Sequence, residues 1–124
     1  MSNEQRESIR CLTKKDAFAA LGGGMTMVGQ INDISHGGLA FEHLVNLDCK
    51  KSSFSEVDIF LRGHDFYLSD VACMKVYDKP VNTANVFYSQ FITKRCGVKF
   101  GLLTDKQRVQ LEYFLKNHTV GLAA

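Results

Sequence analysis

The chain has 124 residues, one domain's length of sequence, with too little material for two independent cores. Apolar residues make up 45% and charged residues 23%, a globular balance that excludes a disordered chain. Fifteen Lys and Arg against thirteen Asp and Glu leave a formal charge of +2, too near neutral for a general binder of nucleic acid or membrane surface.

Residues 1–12 hold only Ile9 and Leu12 as large apolar side chains besides Met1, and are expected to form a mobile basic arm. The first twenty residues are charged and polar, with no apolar stretch of a secretory signal, so a cytoplasmic location is expected. From Lys15 to Leu103 the pattern is short strand-like runs separated by turn signals. Asp16–Leu21 reads as a strand closed by Gly22-Gly23-Gly24, and Met25–Ile34 as a second strand ending in the polar turn Asp33-Ile34-Ser35-His36-Gly37-Gly38. Gly38–Leu44 follows. Val57, Ile59 and Leu61 alternate with polar neighbours in a half-buried strand, and Phe66–Val76 comes after the Gly63-His64-Asp65 turn. Phe87–Ile92 and Gly97–Leu103 read as the last two strands.

The period then changes. Leu111, Phe114, Leu115 and His118 share one face of a helix, and Thr104 with Gln107 forms a capping box at its start. Strands at this spacing without intervening helices predict an all-β domain, antiparallel in a barrel or sandwich, with the terminal helix over one open end. The expected boundaries are the arm 1–12, one domain over 13–118, and a frayed tail at 119–124.

No site chemistry is carried by the cysteines or histidines. Cys11, Cys49, Cys73 and Cys96 contain no CxxC pair and read as reduced thiols, and the four His form no HExxH pair, so no metal site is expected. Gly22–Gly24 lacks the frame of a phosphate loop and reads as a hairpin turn. Phe87, Tyr88 and Phe91 read as sheet packing, since residues 80–93 supply no basic neighbour for a base-stacking platform. The longest uncharged stretch, Ala17–Asn32, is sixteen residues with four Gly, too short to span a bilayer. No acid–base pair or cofactor frame suggests an enzyme.

Two local patterns remain. Arg6-Glu7-Ser8-Ile9-Arg10 is an R-x-x-x-R ahead of the first strand, and Asp33-Ile34-Ser35-His36-Gly37-Gly38 is a D-x-S-x-x-G between two strands. Arg can fork onto a phosphate or onto guanine O6 and N7. Asp33, ionised, is an acceptor-only fork that suits the N1–H and N2–H donors of guanine; the alternative is an Asx-turn residue bonded to its own backbone. Ser35 offers a hydroxyl at the same turn, for ligand or for the turn itself, and Gly37 and Gly38 leave the backbone bare. Lys99 and Arg95 would extend an anion site if the last strand lay beside the arm.

The two motifs in this order resemble the PilZ domain, a bacterial receptor for cyclic di-GMP. Cys96-Gly97-Val98-Lys99-Phe100, followed by Thr104-Asp105 and a helix, is similar to that family's ending. The resemblance implies a six-stranded antiparallel β-barrel with a C-terminal helix. It also implies cyclic di-GMP bound by Arg6, Arg10, Asp33, Ser35, Gly37 and Gly38, with no catalysis, no metal and no other cofactor. The expected partners are cyclic di-GMP and an unidentified downstream protein, with no DNA or RNA, no membrane insertion, and the homodimer left open. The alternative is a ligand-independent adaptor on the same barrel. Glu4 and Glu7 flank Arg6, where family arms are often more basic.

Overall fold

The computed structural model describes residues 9–21, 27–46, 55–81 and 91–122. Among these residues, eight strands and one helix follow in chain order: β1 (Cys11–Thr13), β2 (Ala17–Leu21), β3 (Met27–Ile34), β4 (Gly38–Asn46), β5 (Glu56–Leu61), β6 (Tyr67–Pro80), β7 (Phe91–Phe100), α1 (Asp105–Asn117) and β8 (Thr119–Leu122). Every pairing is antiparallel. The hydrogen-bonded order is β2-β5-β6-β7-β4-β3, and β2 also pairs with β3, which closes six strands into a barrel. Closure removes the free edges that an open sheet would expose.

Alternation drives the closure. Val57, Ile59 and Leu61 of β5 point inward and are buried, as are Leu39 and Phe41 of β4 and Cys96 and Val98 of β7. Register shifts between Ile31 and Asp33, between Val57 and Ile59, and between Lys75 and Tyr77 bend the strands enough to wrap.

The helix closes one end of the barrel. Thr104 Oγ1 accepts from the Gln107 N–H at 3.1 Å, and Gln107 Oε1 accepts from the Thr104 N–H at 3.0 Å, the expected capping box. Leu111 and Phe114 drop into the core, each contributing about 1.5–3 kcal/mol by burial. Phe66, at the mouth, packs on Phe114 with ring centroids 5.5 Å apart. Gln107 Nε2 also donates to the carbonyls of Ser69 and Asp70, and Gln110 Nε2 to that of Tyr67, which fixes the helix along β6.

Three sequence expectations are corrected. The runs read as separate strands at 87–92 and 97–103 meet, over the described residues, in one ten-residue strand, β7, which ends at Phe100 and leaves Gly101–Leu103 outside it, because Arg95–Lys99 stay paired with both β4 and β6. The tail read as frayed over 119–124 forms β8 at Thr119–Leu122, which pairs with β1. Cys11 and Leu12, read as part of a mobile arm, lie in β1 between β3 and β8. Residues with too little apolar surface to order themselves gain order from two neighbouring strands. Arg6, the Gly22–Gly24 turn, Cys49, Phe87 and Tyr88 lie outside the described residues.

Candidate functional site

β3 uses its outer edge twice: Met27–Gln30 pair with β2, and Asp33–Ile34 pair with β1. The handover places Asp33 opposite Leu12 on one side and Ala40 of β4 on the other. The motif turn follows at once. The Ser35 N–H donates to the Gly38 carbonyl at 2.8 Å, and the Gly37 N–H donates to Ser35 Oγ at 3.1 Å. The Phe100 N–H donates to the Gly37 carbonyl at 2.8 Å, tying the turn to β7. A Cβ on Gly38 would lie 2.2 Å from the Val98 carbonyl oxygen, so only glycine lets the two backbones approach this closely. Ser35 is 1% exposed. Its hydroxyl serves the turn, and Gly37 and Gly38 shape it; none of the three presents a side-chain group outward here.

Asp33 is different. Arg10 Nη1 donates to Asp33 Oδ1 at 2.5 Å, and Arg95 Nη2 donates to Oδ2 at 3.0 Å. One carboxylate, its side chain only 10% exposed, is held between two guanidiniums, one from the N-terminal arm and one from β7. The trio carries a net positive charge. Asp33 therefore is not the Asx-turn residue that the sequence left open: both its oxygens are used by side chains remote in sequence.

Register extends the site across the outer wall. Asp33 pairs with Ala40, Ala40 with Gly97, and Gly97 with Tyr77, a row running over β3, β4, β7 and β6. Their neighbours Leu39, Phe41, Cys96 and Val98 fill the core, so this row faces out. The Tyr77 ring lies against Gly97: a Cβ there would sit 2.2 Å from Tyr77 Cε2. Lys79 Nζ stands 5.3 Å from the ring centroid, a cation–π contact. The adjoining row pairs Glu42, Arg95 and Lys79, and the row on the other side pairs Gly38, Lys99 and Met74. A floor of small residues, one aromatic plane, the Asp33 and Glu42 carboxylates and several cations thus share a face. That arrangement can stack a planar base, accept its ring N–H donors and receive phosphates.

The sequence brings Arg10, Asp33, Ser35, Gly37 and Gly38 to one place, as expected, with Arg6 outside the described residues. It weighed Arg95 and Lys99 only as extensions and did not find Tyr77. No local motif marks Tyr77; its place follows from the register shift between Lys75 and Tyr77, which sets its ring over Gly97.

Other reactive groups lie elsewhere. Cys11, Cys73 and Cys96 are free thiols. Burial, with Glu56 nearby, pushes Cys73 up to about 11, and burial with Asp78 pushes Cys96 up to about 12, so neither is a nucleophile at neutral pH. No group of three metal-ligating side chains occurs among the described residues, and no helix there is long and apolar enough to cross a membrane.

The class defined by this architecture is a six-stranded barrel carrying an arm, a turn and a capping helix, the PilZ-type fold. Among solved structures the chain is similar to the PilZ domain with c-di-GMP of YcgR from Escherichia coli, with a TM-score of 0.65 over 92% of this chain and 91% of that chain, at 10% identity. No family model and no curated protein sequence matches the chain.

Proposed function

We propose that the chain is a cyclic di-GMP receptor that works by binding rather than catalysis. The observation that carries the reading is the Arg10–Asp33–Arg95 trio beside the Tyr77–Gly97 platform, on a fold shared with a domain described with c-di-GMP. Asp33 accepts the N1–H and N2–H donors of one guanine. Arg10, joined by Arg6 of the same motif, moves from Asp33 onto phosphate or guanine O6 and N7. Tyr77 stacks on a base, and Lys79 and Lys99 face the ring phosphates. Relocation of the arm then alters the surface seen by a downstream protein, in the cytoplasm. Neither DNA, RNA nor a cofactor is part of this reading.

Calorimetric titration with cyclic di-GMP, with GTP as control, tests it. Saturable binding of the cyclic dinucleotide alone is expected. Arg10→Ala should weaken it by about 1.5–3 kcal/mol, roughly ten- to a hundred-fold, through lost charge-assisted hydrogen bonds. The thermal midpoint of the free protein should move little, because Arg10 is 48% exposed and Arg95 still pairs with Asp33 when Arg10 is gone. A ligand-independent adaptor draws support from the fact that both Asp33 oxygens are already occupied; a wild-type chain with no heat of binding would establish that reading instead.

A further inference from the structure

Two arginines hold Asp33, and their settings differ. Arg10 precedes β1 and has no strand pairing of its own. Arg95 sits in the middle of β7, its backbone paired to Glu42 on one side and Lys79 on the other. Arg10 uses Oδ1 and Arg95 uses Oδ2, so the two contacts are separable. The Arg95 Nε is buried and has no partner among the described residues, so Asp33 is what orients its head group.

Consider Arg10 leaving for a ligand. Asp33 would be a largely buried carboxylate with one face open, and an unpaired buried charge is costly. Arg95 stays, because its backbone is fixed in the barrel wall. It keeps Oδ2 clamped while Oδ1 turns free toward the ligand. An ionised acceptor-only group welcomes the paired donors of guanine and repels the ring N1 acceptor of adenine.

We propose that Arg95 is the positioning residue of the site: it holds Asp33 in the orientation that selects guanine. The inference rests on the receptor reading above. It adds to the R-x-x-x-R arm a third arginine whose effect passes through Asp33 and not through the nucleotide.

The test is a double-mutant cycle titrated with cyclic di-GMP and cyclic di-AMP. Arg95→Met should weaken cyclic di-GMP binding roughly ten- to a hundred-fold and shrink the guanine-over-adenine ratio to that of Asp33→Asn. The combined variant should bind no more weakly than Asp33→Asn alone, since both changes remove one function. Arg95→Lys keeps the cation without the fork and should restore part of the ratio; it also serves if the Met variant does not fold. An Arg95→Met protein with the wild-type ratio overturns the inference, and so do losses that multiply in the double variant, which would place Arg95 on the ligand itself. A wild type that binds neither nucleotide overturns the receptor reading and this inference with it.

Discussion

Asp33, Gly97 and Tyr77 are chemically ordinary residues whose meaning comes from what the barrel sets beside them. Gly97 faces outward, yet it is buried because the Tyr77 ring covers it. Gly97→Val would therefore act on the ring and not on the core: the added Cβ starts 2.2 Å from Cε2, and the ring must swing away. Loss of a stacking surface of this kind costs about 1–3 kcal/mol per base. Titration of Gly97→Val with cyclic di-GMP should show that loss with a barrel that still melts cooperatively. Equal affinity in the variant would remove Tyr77 from the site. At this scale the sequence disclosed the local half of the site. Arg10, Asp33 and the turn belong to short motifs whose spacing is visible in one dimension. Arg95 and Tyr77 belong to it only through strand register, which no local pattern encodes.

The elements divide in the same way. The helix was legible from end to end, since Thr104, Gln107, Leu111 and Phe114 act over one to two turns of a single segment. β8 was not: Thr119–Leu122 is a short strand with three exposed residues, ordered by pairing with Cys11–Thr13 at the opposite end of the chain. The joint between them is His118, which caps the helix by donating its N–H to the Phe114 carbonyl. Its ring sits among Phe66, Tyr113 and Phe114, 5.8 Å from the ring of His64, which pairs with Asp16 at 3.2 Å. Burial, then the charges of His64 and Lys14, lower the His118 pKa below the ordinary 6.5, with Asp16 opposing. The sign follows from linkage. The unfolded chain takes up this proton more readily than the folded one, so the contribution is complete above the ordinary value and is lost as pH falls through the folded one. Thermal midpoints between pH 7.5 and pH 5 should fall in the wild type and fall less in His118→Gln. Parallel slopes in the two proteins would show that the acid sensitivity arises elsewhere.

For the whole molecule, the barrel's strands were visible as short apolar runs, with β7 split in two, while the way β1 and β8 meet was not. β1 is a three-residue strand held between β3 and β8, and Arg10 immediately before it is already bonded to Asp33. The arm near Arg10 is thus docked on Asp33. Binding would exchange one partner of Arg10 for another, which costs less entropy than ordering a free segment and would give a faster, tighter response. This predicts a dependence on the far end of the sequence. A chain ending at His118 keeps the barrel and the helix but leaves β1 held by β3 alone, through its pairs to Asp33 and Ile34 and the Thr13 hydroxyl on the Ile31 carbonyl. Trypsin cleavage after Arg10, followed by mass spectrometry of the released peptides, should be slow in the full chain and clearly faster in the shortened one. Cyclic di-GMP affinity should fall with it, because Arg10 is no longer preorganised, while the core, centred on Phe41, Leu39 and Phe114, should unfold at nearly the same temperature. Identical cleavage rates in the two chains would mean that β3 alone holds β1, and that the C-terminal strand has no hand in presenting the arm.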